Sequence, residues 1–230
     1  VNGHTLKALL HLGLYEINQS LHSVNAHQLK EPHLVQMYDR YATYNGSSPF
    51  KTPGMMTLVQ HLEQQFGTFI PKGGMEQITQ SLFLLAKRRG VDFFMGEKVK
   101  EICLNENRAV GVKTTKRKYK SAITLSNMDV YPTYKKLLKG LPAPERILSQ
   151  ERSSAAVIFY WGIKHSFDQL DLHNIFFSKN YNKEFEAIFE HKDVADDFTV
   201  YLNITSKDVP QDAPKGCENW FVMINTPADY

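Results

Sequence analysis

The hydrophobic period of this chain changes once, near Val91, and that change constrains the fold more than any single motif. Before it, apolar residues recur three and four positions apart. Leu6, Leu10, Leu14, Ile17, Leu21 and Val24 predict a helix over 4–24. Pro32 suits the first turn of a second helix over 32–44, which "NGSSP" from Asn45 breaks. Leu58, Leu62 and Phe66 mark a third, ended by Gly67. Met75, Ile78, Leu82, Leu85 and Ala86 form the apolar stripe of a fourth. Lys87, Arg88 and Arg89 complement the negative end of its dipole, and Gly90 stops it.

After the change, the runs are short and β-branched. "VDFFM" (91–95), "VKEICL" (99–104), "AVGVKTT" (109–115) and "SAITLS" (121–126) predict the strands of a meander, with "GEK", "NENR" and "KRKYK" as turns. A short helix at 130–139 and the proline-punctuated "GLPAPER" follow. From Ser153 the strands lengthen: "SSAAVIFYWGI", "HNIFFS", "DFTVYLNIT" and "NWFVMINT", with one helix, "NKEFEAIFEH", among them. Their aromatic and β-branched content suits a half-buried sheet with one apolar face. The fold class is α+β, with helices and a mixed or antiparallel sheet.

Composition narrows the function classes. Hydrophobic residues make up 42% and charged ones 22%, as in an ordinary globular protein. A formal net charge of +3 argues against a nucleic-acid partner. Cys103 and Cys217 lie far apart, with neither disulfide nor zinc spacing, so no metal is expected and a reducing compartment is. Neither a membrane-length apolar run nor a signal-peptide pattern is present. The chain opens on Val1 and stops at "INTPADY", just past a strand-like run, which suggests a piece of a longer chain.

Most catalytic signatures are missing. The nine histidines form no HxxxH or HExxH pair, and there is no GxSxG elbow. The run "KTTKRKYK" holds Lys113, Lys116, Arg117, Lys118 and Lys120. It is a solvated hairpin tip or a contact with an anionic membrane surface. The turn "PKGGM" sets Lys72, Gly73 and Gly74 at the mouth of the fourth helix. A helix N-terminus can hold an anion, but neither P-loop nor GxGxxG spacing is present. A backbone corner with positive φ or close approach is the other reading.

"RYATYNGSSPFKTPGMMTLVQHLEQQFGTFIPKGGMEQITQSLFLLAKRRGVDFFMGEKVKEI" resembles the central part of bacterial carotenoid desaturases of the phytoene dehydrogenase type, within the FAD-dependent amine oxidoreductase superfamily. "AVGVKTT", "SNMD", "HNIFFSKNYNKEFEAIF" and "DVPQDAPKGCENWFVMINTP" continue the likeness in order, over most of residues 33–228. That family also has an N-terminal GxGxxG and a C-terminal flavin motif, and this sequence has neither. Met128 stands where many relatives have alanine.

The resemblance implies an FAD cofactor that accepts a hydride from a long isoprenoid or carotenoid such as phytoene. It implies a cytoplasmic protein, peripheral at the inner membrane. It divides the chain into a helical part of a substrate domain (1–70), a partial FAD-binding domain (71–128) and a substrate-binding sheet (129–230). It assigns Lys72, Gly73, Gly74 and Val99 to the cofactor, and Arg40, Tyr41, Tyr44 and Pro71 to the substrate. Asn127 and Asp129 match a segment leading from one domain towards the other. No catalytic acid or base is implied. A polyene isomerase, a saturase, an amine oxidoreductase and an inactive isoprenoid- or membrane-binding module remain as alternatives.

Overall fold

A computed structural model describes residues 16–139 and 141–228. Contacts divide the chain into two compact units. One joins residues up to Thr68 with those from Arg152 onward, and the other is Phe69–Glu151. The residues from Arg152 onward thus pack with the early helices rather than forming a unit of their own.

In the first unit, α1 (Leu21–Leu29) starts at Ser20, whose hydroxyl accepts the Ser23 N–H. It ends at Lys30 in the left-handed conformation. The helix expected over 4–24 therefore differs. Residues 4–15 lie outside the described residues; within those described, Glu16 has φ 52° and leads a turn, and a helix begins at Leu21. A serine cap overrides an apolar spacing that runs through it. In α2 (Pro32–Asp39), Pro32 occupies the first turn as expected, and the Glu31 carboxylate accepts the Leu34 N–H. The chain then tightens into a 3-10 helix, Arg40–Asn45, ended by Gly46 at φ 61°. Leu21, Val24, Val35 and Ala42 are buried. The helix α3 (Thr57–Phe66) ends at Gly67, but Leu58, Leu62 and Phe66 on its stripe are exposed.

The second unit holds α4 (Glu76–Arg88) and a meander. The N–H of Gly90 bonds Lys87 O and that of Val91 bonds Ala86 O, so the expected glycine stop is a Schellman motif. The strands β1 (Val99–Asn105), β2 (Arg108–Thr114) and β3 (Lys118–Lys120) pair antiparallel in that order. Glu106 and Asn107, both at positive φ, make the two-residue hairpin turn. Two expected strands, "VDFFM" and "SAITLS", are irregular. "VDFFM" has no ladder partner among the described residues; Phe93 packs on Phe83 and Phe94 on Tyr119 instead. The third strand is the "KYK" of an expected turn, because Gly111 at φ 147° lets Lys120 approach. A Cβ there would collide with the carbonyl oxygen of Tyr119. Asp129 caps a short helix, α5 (Val130–Pro132), by accepting the Tyr131 N–H, and a π turn, Thr133–Leu137, follows. One more turn of helix, α6 (Glu145–Leu148), closes the unit's described elements.

Back in the first unit, β4 (Ala155–Ile163), β5 (His173–Phe176), β6 (Val200–Asn203) and β7 (Glu218–Thr226) form an antiparallel sheet of order β4-β7-β6-β5. The helix α7 (Tyr181–Glu186) and its π extension Ala187–His191 lie between β5 and β6 in sequence. Paired residues share a face. Leu202, Val222 and nearby Ile204 are buried, with Leu170, Val200 and Trp220 packed against them. The opposite face carries Tyr160, Phe221 and Tyr201 in edge-on contact. So both faces carry apolar rings, where one was expected. The mixed α+β class holds.

Candidate functional site

Three of the four residues expected at the substrate, Arg40, Tyr41 and Tyr44, lie on the turn between α2 and α3. In a 3-10 helix, side chains three apart eclipse one another. "YDRYATY" therefore stacks its tyrosines: Tyr38 and Tyr41 at 6.2 Å and 12°, Tyr41 and Tyr44 at 5.7 Å and 17°. One carboxylate fixes the ladder. Glu63 accepts the Tyr41 hydroxyl at 2.7 Å and the Tyr44 hydroxyl at 2.6 Å, and Gln64 donates to the Tyr38 hydroxyl at 3.0 Å. The hydrogen bond to Glu63, then burial, pushes the Tyr44 phenol up to about 12. Burial, then the same carboxylate, pushes Tyr41 up as well. Both phenols stay protonated donors at neutral pH. Tyr201, on the aromatic sheet face, is close enough to add to the rise at Tyr44.

Arg40 points elsewhere. It is buried, and Nη1 has no hydrogen-bond partner. Its charge acts on the hydroxyls of Tyr181 and Tyr201, both raised by burial and partly lowered by Arg40. Beneath it, buried Glu184 accepts the Ser178 and Thr199 hydroxyls, each at 2.7 Å, through one oxygen. Its other oxygen is unbonded. The three substrate-side residues of this turn thus divide: Tyr41 and Tyr44 lie on an aromatic surface, Arg40 in a polar interior.

The remaining residues belong to the second unit. Pro71–Gly74 is a β-turn closed by the Gly74 N–H on Pro71 O at 2.9 Å. Gly73 and Gly74 have φ of 90° and 88°, the conformation that favours glycine. A Cβ on Gly74 would meet nothing within 4 Å, so the corner is open. Lys72 is exposed. The N-terminus of α4 has no side-chain cap. Val99 begins β1, beside a register irregularity, and is exposed.

The basic tip is only partly free. Arg117 pairs with Glu97 at 2.9 Å and lies over the rings of Phe94 and Tyr119. The Thr114 and Tyr119 hydroxyls also donate to Glu97, each at 3.0 Å. Burial raises this carboxyl, but those three donors outweigh it and hold it below its ordinary range. Arg117 therefore serves the hairpin, while Lys113, Lys116, Lys118 and Lys120 are also exposed, with Lys116 and Lys118 flanking it at the tip.

Sequence reasoning missed Glu63, Tyr38 and a cluster of half-buried His22 with buried Asn25 and Asp39. The three-residue spacing of Tyr38, Tyr41 and Tyr44 was visible. Glu63 gives no local signal, because its partners are about two helical segments away. Among the described residues no group of three His, Cys, Asp or Glu side chains could hold a metal. No described helix is long and apolar enough to cross a membrane.

Known proteins resemble this chain over nearly all its length. It is 57% identical over 226 residues to a 1-hydroxycarotenoid 3,4-desaturase of Flavobacterium sp. (strain P99-3), covering 98% of this chain and 46% of that protein. It is 33% identical to a 4,4'-diapolycopene oxygenase of Methylomonas sp, over 86% of this chain and 40% of that protein. To a lycopene-forming phytoene desaturase of Pantoea ananas it is 27% identical, over 96% and 46%. The chain thus spans about half the length of the curated relatives it matches. The crystal structure of an oxidoreductase from Methanosarcina mazei shares the fold, with a TM-score of 0.64 at 16% identity over 97% of this chain and 51% of that one. No family model matches. The ordered motifs from Arg40 to Pro227 and this depth of identity have one common explanation: the chain belongs to the carotenoid desaturase family.

Proposed function

We propose that this chain is part of an FAD-dependent oxidoreductase that desaturates an acyclic carotenoid, hydroxylated as in the 1-hydroxycarotenoid relative. The observation that carries the reading is the 57% identity along 226 residues. The tyrosine ladder supports it independently. A conjugated chain is flat and apolar, and stacked rings beside the aromatic sheet face offer it a matching surface.

The cofactor residues fit an edge of a flavin site. Gly73 and Gly74 leave an open corner at an uncapped helix N-terminus, which suits close approach of a planar or anionic group. The glycine-rich pyrophosphate cradle of a dinucleotide fold is absent from this sequence, so residues of a longer protein would supply it. When bound, flavin supplies a hydride acceptor for an allylic C–H of the polyene. Lys72, Gly73, Gly74 and the Val99 backbone would hold its edge. In the first unit the work of Tyr41 and Tyr44 is to orient the polyene and exclude water, with Glu63 keeping the two phenols fixed and neutral; Pro71, in the second unit, is assigned to the substrate by the resemblance alone. Arg40 would support that surface from the interior rather than touch the chain.

Membrane contact follows from the substrate, which partitions into lipid. We place the protein in the cytoplasm, peripheral at the inner membrane, with Lys116 and Lys118 as candidate contacts. The test uses the full-length protein with phytoene and with a hydroxylated acyclic carotenoid. Desaturation removes two hydrogens per step, whereas the oxygenase-named relatives direct attention to added oxygen, so product mass separates the two. Absence of co-purifying flavin, or an unchanged substrate mass, refutes the reading.

A further inference from the structure

A second site lies in the first unit, away from the ladder's hydroxyls. Asp39 is 2% exposed, and both of its oxygens are used. Asn25 donates to Oδ1 at 2.9 Å, and His22 Nδ1 lies 2.6 Å from Oδ2. Burial pushes the Asp39 carboxyl above its ordinary range, and these two partners oppose the rise. A carboxylate only accepts, so its position assigns the imidazole proton to Nδ1. The Phe50 ring, 4.6 Å away and tilted 48°, packs against the His22 ring. In that tautomer the other ring nitrogen, Nε2, is left as a hydrogen-bond acceptor.

His22 lines a cleft of about 430 Å³. Ala26, Val35 and Phe50 give that cleft an apolar wall, and its lining also includes the amides Gln36, Asn180 and Asn182 and the cations Lys30 and Lys179. The acceptor asks for a hydrogen-bond donor, the apolar wall asks for an apolar body, and the two lysines disfavour a cation. A neutral hydroxyl on a hydrocarbon meets all three conditions.

The geometry points to this cleft as the place where the chain receives the hydroxyl-bearing end of an isoprenoid, with His22 Nε2 as acceptor and Asp39 as the residue that positions it. The inference rests on the proposed polyene reading and adds a subsite to it. Nothing in the spacing of His22 and Asp39, seventeen positions apart, announces the pair. The cleft holds the end of such a molecule, since its volume is that of a modest ligand rather than a whole carotenoid.

The test measures binding of geranylgeraniol, the matching hydrocarbon and the matching carboxylic acid to the full-length protein, by quenching of tryptophan fluorescence. One hydrogen bond at a partly exposed acceptor predicts that the alcohol binds about three- to tenfold tighter than the hydrocarbon. His22→Ala should bring that ratio to about one while leaving hydrocarbon binding in place. Because His22→Ala also strips a partner from a buried carboxylate, Ala26→Leu serves as the second variant. It narrows the cleft, keeps the His22–Asp39 pair, and should cut the ratio as well. An alcohol preference that survives both changes overturns the subsite, and so does tighter binding of the acid than of the alcohol. Equal binding of alcohol and hydrocarbon by the unaltered protein sinks the subsite and leaves the polyene reading standing. Failure to bind any of the three sinks both.

Discussion

The Tyr44 ring stacks on that of Tyr41, 5.7 Å away and 17° from parallel, and both hydroxyls end on the two oxygens of Glu63. The stack follows from backbone geometry: residues 41 and 44 eclipse only because this turn is a 3-10 helix. The shared carboxylate then gives the pair a titration that can be measured.

Glu63→Gln removes an anion that favours protonated phenols. Both phenols should therefore become more acidic, with Tyr44 falling from about 12 towards the ordinary tyrosine value of about 10. Ultraviolet titration of phenolate reads this directly. An unchanged titration curve would show that Glu63 does not control the ladder.

Acid stability should depend on Glu218. Burial raises this carboxyl, yet Lys207, Trp220, the Phe167 N–H and Ser166 together lower it to about 2. A carboxyl lowered on folding stabilises the fold above its unfolded value, near 4.3, and loses that contribution as pH falls towards 2. The window is about two units wide and is worth on the order of 3 kcal/mol. Chemical denaturation at stepped pH should show the loss, and Glu218→Gln should flatten it. A variant with the original slope would place the acid sensitivity elsewhere.

Charge reversal at the hairpin tip should have two distinct outcomes. Arg117→Glu sets a second carboxylate beside Glu97, so the second unit should melt at a lower temperature. Lys116→Glu with Lys118→Glu should leave melting unchanged and weaken flotation with anionic liposomes. If the lysine pair binds liposomes as before, the tip is not a membrane contact.

Burial predicts a contrast between two leucine-like positions. Ile204 is fully buried, so Ile204→Ala should cost about 2–4 kcal/mol. Leu62 is 45% exposed, and Leu62→Ala should cost less than about 0.5 kcal/mol in this chain. Urea denaturation compares them. A large loss at Leu62 would mean that the α3 stripe is covered by something outside the described residues.

Where local chemistry decides, the sequence was readable. Pro32, Gly67 and Gly90 mark helix ends that the structure places where the residues put them, and the four later strands and their intervening helix were visible as aromatic runs. It failed where a distant partner decides. "VDFFM" has strand composition but no ladder partner among the described residues, while "KYK" pairs because a glycine opposite it admits the backbone. Within the described residues, the apolar spacing through Ile17 is interrupted by a turn and a helix starts at Leu21 under the Ser20 cap, a signal weaker on paper than spaced apolar residues. At the candidate site, the tyrosine spacing was legible as a pattern, but its acceptor at position 63 and the His22–Asp39 pair exist only once helices pack.

One consequence lies in β4. Its nine residues contain neither proline nor charge, both faces are exposed apart from Ile163, and only β7 pairs with it among the described residues. An edge like this is a template for further strands. Production of the chain on its own therefore becomes a race between folding and self-assembly, and dilution, rather than a change of buffer, is the variable that decides which wins.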